Sequence, residues 1–145
     1  ADKLGVPAAD VYNVADFSAD TVAAYQNLIL GTSTWGAGDM QDDWYDGVKV
    51  LAAADLKGKV VALFGCGDSE SYSDTFCGGM AELYGAVTNG GATVVGQVPT
   101  DGYTFDDSAA VVDGHFVGLA LDDVNEDDRT DSRIDAWVAQ ISPSL

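Results

Sequence analysis

Two apolar runs in this chain each lead directly into a glycine-rich segment. Leu28-Ile29-Leu30 runs into a segment that ends at Gly38, and the run from Val60 to Phe64 is followed by Gly65-Cys-Gly-Asp68. A short apolar run bounded by glycine is typical of a buried strand. In an open α/β sheet, ligands bind in the crevice outside the carboxyl ends of the strands. The pattern therefore predicts a sheet with a ligand-binding edge.

Each glycine-rich segment is accompanied by a large aromatic side chain, Trp35 within the first and Tyr72 just beyond the second. Two aromatics on neighbouring loops can clamp a flat ring between them, and the alternative is that they only cover their loops. Glycine lets backbone amides approach the edge of such a ring, because it has no side chain and tolerates positive φ. Local turn geometry explains the same glycines equally well. They are Gly36, Gly38, Gly65 and Gly67.

The charge of the chain limits its partners. The 145 residues include 24 Asp and Glu against 6 Lys and Arg, which gives a formal net charge of -18. This balance argues against nucleic acid, which is bound through Lys and Arg. It favours a basic partner protein met by electrostatic steering, with solubility or a salty habitat as the alternative. No apolar run is long enough to span a membrane, no signal peptide is visible, and two cysteines make no disulfide framework. We therefore expect a cytoplasmic protein.

Strand and helix patterns alternate along the chain. Helical spacing or capping signals predict helices over residues 18–22, 41–54 and 74–87 and from Thr130 onward, and residues 1–5 look like the last turn of another helix. A polar loop is expected over 99–114. The alternation predicts one α/β domain, a three-layer sandwich of a parallel sheet with helices on both faces. The predicted strands lie near residues 10–14, 27–31, 59–64, 93–98 and 116–121.

Taken together, these segments resemble the flavodoxin family over nearly the whole chain from residue 9 onward. The insertion from about Pro99 to Gly114, which splits the last strand, is similar to that of the long-chain class. The resemblance implies a flavodoxin-like fold and FMN as the cofactor. The matching stretches are Ile29-Leu-Gly-Thr-Ser-Thr-Trp-Gly36, Gln41-Asp-Asp-Trp44, Ala62-Leu-Phe-Gly-Cys-Gly-Asp68 with Tyr72-Ser-Asp-Thr-Phe76, Thr100-Asp-Gly-Tyr103, and His115-Phe-Val-Gly-Leu-Ala-Leu-Asp122.

The resemblance also implies which residues hold the FMN. Trp35 and Tyr72 would stack on the two faces of the isoalloxazine ring. Asp68 and Thr34 would hydrogen-bond the pyrimidine edge or the ribityl chain. The expected cofactor contacts are Ser33, Thr34, Trp35, Gly36, Gly38, Cys66, Gly67, Asp68, Tyr72 and Phe76.

The cysteines and the single histidine do not indicate further chemistry. Cys66 and Cys77 are not spaced as C-x-x-C and have no Lys, Arg or His near in sequence, so we interpret both as small buried residues beside the flavin loop. His115 has no second metal ligand in sight. The resemblance implies a low-potential electron carrier rather than an enzyme, acting between a basic flavodoxin reductase and acceptor oxidoreductases.

The sequence departs from the family at its N-terminus. Flavodoxins open with a strand and a phosphate loop of the type Thr-Gly-x-Thr, and nothing like it precedes Ala1, so the domain is expected to be truncated. In the strand order 2-1-3-4-5, the missing strand belongs between residues 10–14 and 27–31. We expect that slot to be filled by an inward shift of the first strand or by a second chain, because unpaired edges are unfavourable. The alternative function is a truncated module that binds FMN weakly or not at all, since the phosphate lacks its N–H donors.

Overall fold

The computed structural model describes residues 1–145 and contains nine strands and four α-helices. The helices are α1 (Ala19–Ala24), α2 (Trp44–Ala53), α3 (Met80–Asn89) and α4 (Asp127–Ile141). None of them combines the length and the apolarity needed to cross a membrane. The strands are β1 (Asn27–Thr32), β2 (Thr34–Trp35), β3 (Asp39–Met40), β4 (Val60–Cys66), β5 (Thr93–Val95), β6 (Val98–Pro99), β7 (Val111–Val112), β8 (His115–Phe116) and β9 (Leu119–Leu121).

The central sheet is parallel and is organised around β4. One edge of β4 pairs with β1 along its length, from Asn27 opposite Val60 to Thr32 opposite Gly65. The other edge is shared, because β5 pairs with the first half of β4 and β9 with the second half. Strands β5 and β9 thus occupy one strand position, interrupted by residues 96–118. Within that interruption, β6, β8 and β7 form a small antiparallel sheet in that order.

Side chains alternate between the two faces of the sheet and create two cores. Leu28 and Leu30 of β1 belong to the larger core, together with residues of α2 and α3, whereas Ile29 packs with the smaller core. The smaller core contains Trp137 and Ile141 of α4. Alternation of this kind is what a strand with both faces covered requires. The predicted three-layer α/β sandwich is confirmed.

Local features of the chain explain where three of the helices begin. Ser18 caps α1 and forms a capping box with Thr21, so the short helix predicted here is confirmed. The structure begins α4 at Asp127, three residues before the predicted start, with acidic side chains in the first turn where the helix dipole favours them. It begins α3 only at Met80, because Cys77 takes a φ of 52° that no helix accommodates.

The strand predicted over residues 10–14 is wrong. This segment runs between two short 3-10 helices, Ala8–Asp10 and Val14–Asp16. The alternation of apolar and polar residues does not produce a buried face, since Val11 is 56% exposed and Tyr12 is 47% exposed. The side chain of Asn13 accepts a hydrogen bond from the Ala15 N–H and begins the second 3-10 turn. A turn with its own capping side chain competes with strand pairing.

As a consequence, β1 is an edge strand, and the expected inward shift of a preceding strand does not occur. The Val60 N–H donates to the Gln26 carbonyl, so the backbone groups of Gln26 point toward β4. Because backbone groups alternate in direction along a strand, those of Asn27, Ile29 and Gly31 point away from β4. On the outward side, the Gly31 carbonyl accepts a hydrogen bond from Trp44 Nε1 at 2.8 Å. No strand of the structure pairs with this edge.

Strands predicted over 93–98 and 116–121 are each shorter than expected. Gly96 has a φ of 86° and its carbonyl accepts a hydrogen bond from Trp137 Nε1 at 2.9 Å. A Cβ at this position would lie 2.6 Å from the same nitrogen, so only glycine fits against Trp137 here. The chain leaves the sheet at this glycine, where α4 packs closely against it. After β8, residues 117 and 118 carry the chain from the small antiparallel sheet back to β4.

Candidate functional site

The segment after β1 forms a tight hairpin that presents Trp35. Strands β2 and β3 pair antiparallel, with Trp35 opposite Asp39. The tip contains Gly36 and Gly38 at φ values of 54° and 97°, a backbone conformation that glycine adopts without strain. The Thr32 hydroxyl accepts a hydrogen bond from the Gln41 N–H at 3.1 Å and closes the base of the hairpin. Trp35 remains 46% exposed, which is unusual for so large an apolar side chain.

The segment after β4 forms a turn that presents Tyr72. The Asp68 carboxylate accepts hydrogen bonds from the N–H groups of Glu70 at 3.2 Å and Ser71 at 2.9 Å. The Tyr72 N–H donates to the Asp68 carbonyl at 3.0 Å. Hydrogen bonds from the Ser71 N–H and from Asn125 lower the pKa of Asp68, because they favour its ionised form. Tyr72 stands 52% exposed at the end of this turn.

The two loops touch each other backbone to backbone. A Cβ on Gly78 would lie 3.2 Å from Gly38 Cα, and one on Gly79 would lie 2.8 Å from the Ser33 carbonyl oxygen. The Gly79 N–H donates to Thr34 Oγ1 at 3.3 Å. Trp35 and Tyr72 therefore lie on neighbouring loops, as the sequence predicted. Gly78 and Gly79 were missed as site residues because the sequence placed them inside a helix.

Thr75 carries a polar atom with no partner at this junction. Its Oγ1 is buried and makes no hydrogen bond, while its Cβ is 3.4 Å from the position of a Cβ on Gly38. A buried hydroxyl without a partner costs about 1–3 kcal/mol, so a group that can bond it is favoured there. The residues at this edge fit a flat polar group such as a flavin, with two exposed aromatics and an unsatisfied hydroxyl between the loops.

Three of the expected cofactor contacts differ in exposure. Phe76 is 1% exposed and stacks on Phe105 at 5.6 Å between ring centroids, so it supports the loop from beneath. Gly67 is half-buried, and a Cβ there would lie 2.8 Å from the Cys77 backbone nitrogen. Cys66 is exposed at the end of β4, which corrects the expectation that both cysteines are buried.

Neither thiol is activated. Although Cys66 is exposed as a residue, neighbouring protein atoms partly desolvate its thiol and, with the carboxylate of Asp123 as a second cause, raise its pKa. Burial raises the pKa of Cys77. Both cysteines therefore remain protonated thiols near neutral pH, which agrees with their interpretation as small residues beside the loop.

Two further polar residues connect to the site and were missed by the sequence. Asp122 is fully buried after β9, and Asn125 donates to both Asp122 and Asp68 at 2.9 Å. The one available signal was that the apolar run 116–121 ends in an aspartate. That signal does not show which residue the carboxylate meets.

Comparison with known proteins assigns this architecture to a family. A family model described as flavodoxin matches residues 1–137. Flavodoxin 1 of Escherichia coli K12 is 43% identical over 144 residues, which cover 99% of this chain and 82% of that protein. Flavodoxin 1 of Azotobacter vinelandii is 44% identical over 145 residues, which cover 96% of this chain and 82% of that protein.

A solved structure agrees with these sequence relatives. The flavodoxin of Fusobacterium nucleatum bound to flavin mononucleotide superposes with a TM-score of 0.88 at 36% identity, covering 92% of this chain and 80% of that one. A parallel α/β sheet with a loop site at its carboxyl edge defines the class of protein. The chain belongs to the flavodoxin family.

Proposed function

We propose that this chain carries electrons on a bound FMN. The observation that carries the proposal is the pair of touching loops that present two half-exposed aromatics, Trp35 and Tyr72, with the unpartnered hydroxyl of Thr75 beside Gly38 where the loops meet. A relative with the same fold is bound to flavin mononucleotide. When bound, the flavin supplies the electron chemistry by accepting and returning electrons.

The residues of the chain bind and shield the ring. Trp35 and Tyr72 would hold the ring by stacking on its faces, and the Thr75 hydroxyl would gain a hydrogen-bond partner from the cofactor. The Asp68 carboxylate fixes the turn before Tyr72 through three donors that all reach Oδ1, which leaves its Oδ2 to accept a hydrogen bond from the cofactor. Phe76 supports the same loop from the core. The remaining proposed contacts are Ser33, Thr34, Gly36, Gly38, Cys66 and Gly67.

Acidic side chains beside the first loop set both the potential and the partners. Asp39 lies opposite Trp35 in the hairpin, Asp42 and Asp43 follow shortly after it in the chain, and all three are exposed. Negative charge at this position disfavours an anionic reduced flavin and lowers that reduction step. With a net charge of -18, the surface favours a basic flavodoxin reductase and basic acceptor oxidoreductases, met by electrostatic steering. We place this exchange in the cytoplasm, where both cysteines stay as thiols.

The proposal is tested by titrating the chain with FMN and following flavin fluorescence and the visible absorption spectrum. Saturable quenching, together with a reduction potential below that of free FMN, supports the carrier. Reduction by a basic reductase should slow as the ionic strength rises, because salt screens the steering. A chain that leaves the fluorescence of FMN unchanged is not a carrier of this kind.

The unpaired edge of β1 favours a second candidate function. In this alternative, residues 1–145 form a truncated module that binds FMN weakly, and a strand from outside these residues or from a second chain completes the sheet. The outward backbone groups of Asn27 and Ile29 support it, because no strand of the structure pairs with them and an open sheet edge can accept a further strand. Equal affinity for FMN and riboflavin supports the weak module, and a twofold mass in sedimentation supports completion by a second copy.

The interruption of one strand position by residues 96–118 supports assignment to the long-chain class. Both halves of that position, β5 and β9, pair with the same edge of β4. Ala110, Phe116 and Val117 of this segment are buried in the larger core, so a variant that removes the insertion and joins the two halves should keep the parallel sheet but have a lower free energy of unfolding. Circular dichroism and urea unfolding of that variant test the assignment.

A further inference from the structure

A fully buried carboxylate lies at the carboxyl end of β9. Asp122 is 0% exposed, although it sits among loops and not in the centre of the sheet. It accepts a hydrogen bond from the hydroxyl of Ser69, a residue of the loop that follows β4. A buried carboxylate is retained only where donors compensate its desolvation. The neighbouring strands β4 and β9 are therefore connected by polar side chains just beyond their ends.

Asn125 supplies the remaining donors around Asp122 and extends the connection. Its N–H donates to Asp122 Oδ1 at 3.4 Å and its side-chain amide donates to the same oxygen at 2.9 Å. The same amide nitrogen donates to Asp68 Oδ1 at 2.9 Å. One amide thus bridges two carboxylates that otherwise repel each other. Hydrogen bonds to charged groups are among the stronger ones in proteins.

The far end of this connection is the turn that presents Tyr72. The oxygen of Asp68 that faces Asn125 is also the acceptor for the N–H groups of Glu70 and Ser71, and the Asp68 carbonyl accepts from the Tyr72 N–H. Tyr72 itself is half-exposed, with no aromatic neighbour to hold it. The position of its backbone therefore depends on the orientation of the Asp68 carboxylate.

We propose that Asn125 is a positioning residue that holds the Asp68 turn, and through it Tyr72, in the orientation that receives the flavin. The flavin part of this inference rests on the proposed FMN site. Asn125 reaches the turn from the segment between β9 and α4, more than fifty positions away along the chain. It acts on the cofactor only through the turn.

Hydrogen exchange of the flavin-free chain tests whether Asn125 holds the Asp68 turn in place. In Asn125→Ala, the amides of Ser71 and Tyr72 should exchange at least about tenfold faster, because the turn loses a bond to a charged group. The amides of the hairpin 34–40 should not change. The matched control is Asn89→Ala, at an exposed position at the end of α3. Asn125→Ser, which preserves turn propensity without reaching Asp68, provides a second variant if the alanine variant is unstable.

Exchange also separates positioning from a purely structural role. If Asn125 serves only to begin α4, exchange should rise in the first turn of that helix and remain unchanged at Ser71 and Tyr72. That result overturns the proposal. Faster exchange at Ser71 and Tyr72 in both Asn125 variants supports it.

A double-mutant cycle then tests the link to the flavin. Asn125→Ala should weaken FMN binding about fivefold in the wild-type background and have almost no effect in a Tyr72→Ala background, because a residue that acts through Tyr72 is not additive with it. In a Trp35→Ala background the fivefold effect should persist. Equal effects in the first two backgrounds overturn the link, while the proposed function stands. If the wild-type chain does not bind FMN, the proposed function and the link both fail, and exchange alone decides whether Asn125 holds the turn.

Discussion

Two groups of aromatic side chains lie at the same edge of the sheet and differ in what covers them. Trp35 and Tyr72 project from their loops with about half of their surface exposed. By contrast, Phe76 and Phe116 are fully buried, with ring centroids 5.8 Å apart. Tyr72 and Phe76 are four positions apart in one loop, yet one faces solvent and the other faces the core. The difference shows that burial by neighbouring side chains determines the role of an aromatic residue. A buried ring stabilises the fold, whereas an exposed ring is free to contact a ligand. We call Phe76, Tyr103, Phe105 and Phe116 the aromatic cluster.

Substitution of Phe76 should have the largest effect and tests whether the buried aromatics stabilise the fold. Phe76→Ala should lower the free energy of unfolding by about 3–5 kcal/mol, because it opens a cavity among close-packed rings. Urea unfolding followed by tryptophan fluorescence measures the loss. A loss below about 1 kcal/mol would mean that Phe76 does not support the fold and belongs with the exposed pair.

The exposed pair should behave in the opposite way. Trp35→Ala and Tyr72→Ala should each weaken FMN binding by about 1–3 kcal/mol, the range for stacking of a base on an aromatic side chain. Their free energies of unfolding without FMN should change by no more than about 0.5 kcal/mol, since surface substitutions are usually mild. Tyr12→Ala, at 47% exposure in the N-terminal segment, serves as the control and should leave FMN affinity unchanged. Unaltered FMN titrations in both test variants would refute the clamp.

The hydroxyl of Tyr103 allows a smaller change to be tested within the aromatic cluster. Tyr103 Oη donates to the Ala120 carbonyl at 2.7 Å, and Arg133 stacks on its ring at 4.0 Å from the centroid. Burial raises the pKa of Tyr103, so the phenol stays a neutral donor. Tyr103→Phe should therefore lower the free energy of unfolding by about 1 kcal/mol and leave FMN affinity unchanged. A weakened FMN complex in this variant would place Tyr103 in the site.

The smallest expected effect concerns the charge that holds the Tyr72 turn. Because the pKa of Asp68 is lowered in the folded chain, its carboxylate stabilises the fold at pH values above its unfolded pKa of about 4, and this contribution disappears as the pH falls through the lower folded value. Asp68→Asn should reduce the melting temperature slightly at pH 7, and the difference from wild type should shrink as the pH approaches about 3. A difference that grows on acidification would reverse the assigned sign.

The sequence predicted the layers well because apolar periodicity reports burial. The runs at 27–31 and 59–64 became β1 and β4 within a residue or two, since both faces of each are covered. The strand at 10–14 failed because alternation alone does not show whether a core exists beneath it. Gly96 ends β5 and Cys77 delays the beginning of α3, each through a positive φ that no local apolar pattern predicts.

The candidate site was predictable only in part. Trp35 and Tyr72 follow strand ends, so their neighbourhood could be inferred from the topology of a parallel sheet. The burial of Phe76 could not, because it depends on Phe105 from the distant insertion. The bridge made by Asn125 likewise joins residues that are far apart in sequence, and no local pattern encodes such a contact.

The central claim is that the exposed aromatics, and not the aromatic cluster, receive the flavin. The most direct measurement is a crystal structure of the chain with FMN. The account predicts that the isoalloxazine ring lies between Trp35 and Tyr72, with Thr75 Oγ1 within hydrogen-bond distance of the cofactor and Phe76 still buried. A flavin bound elsewhere, such as in the groove between α4 and residues 98–103 beside Arg129, would contradict it.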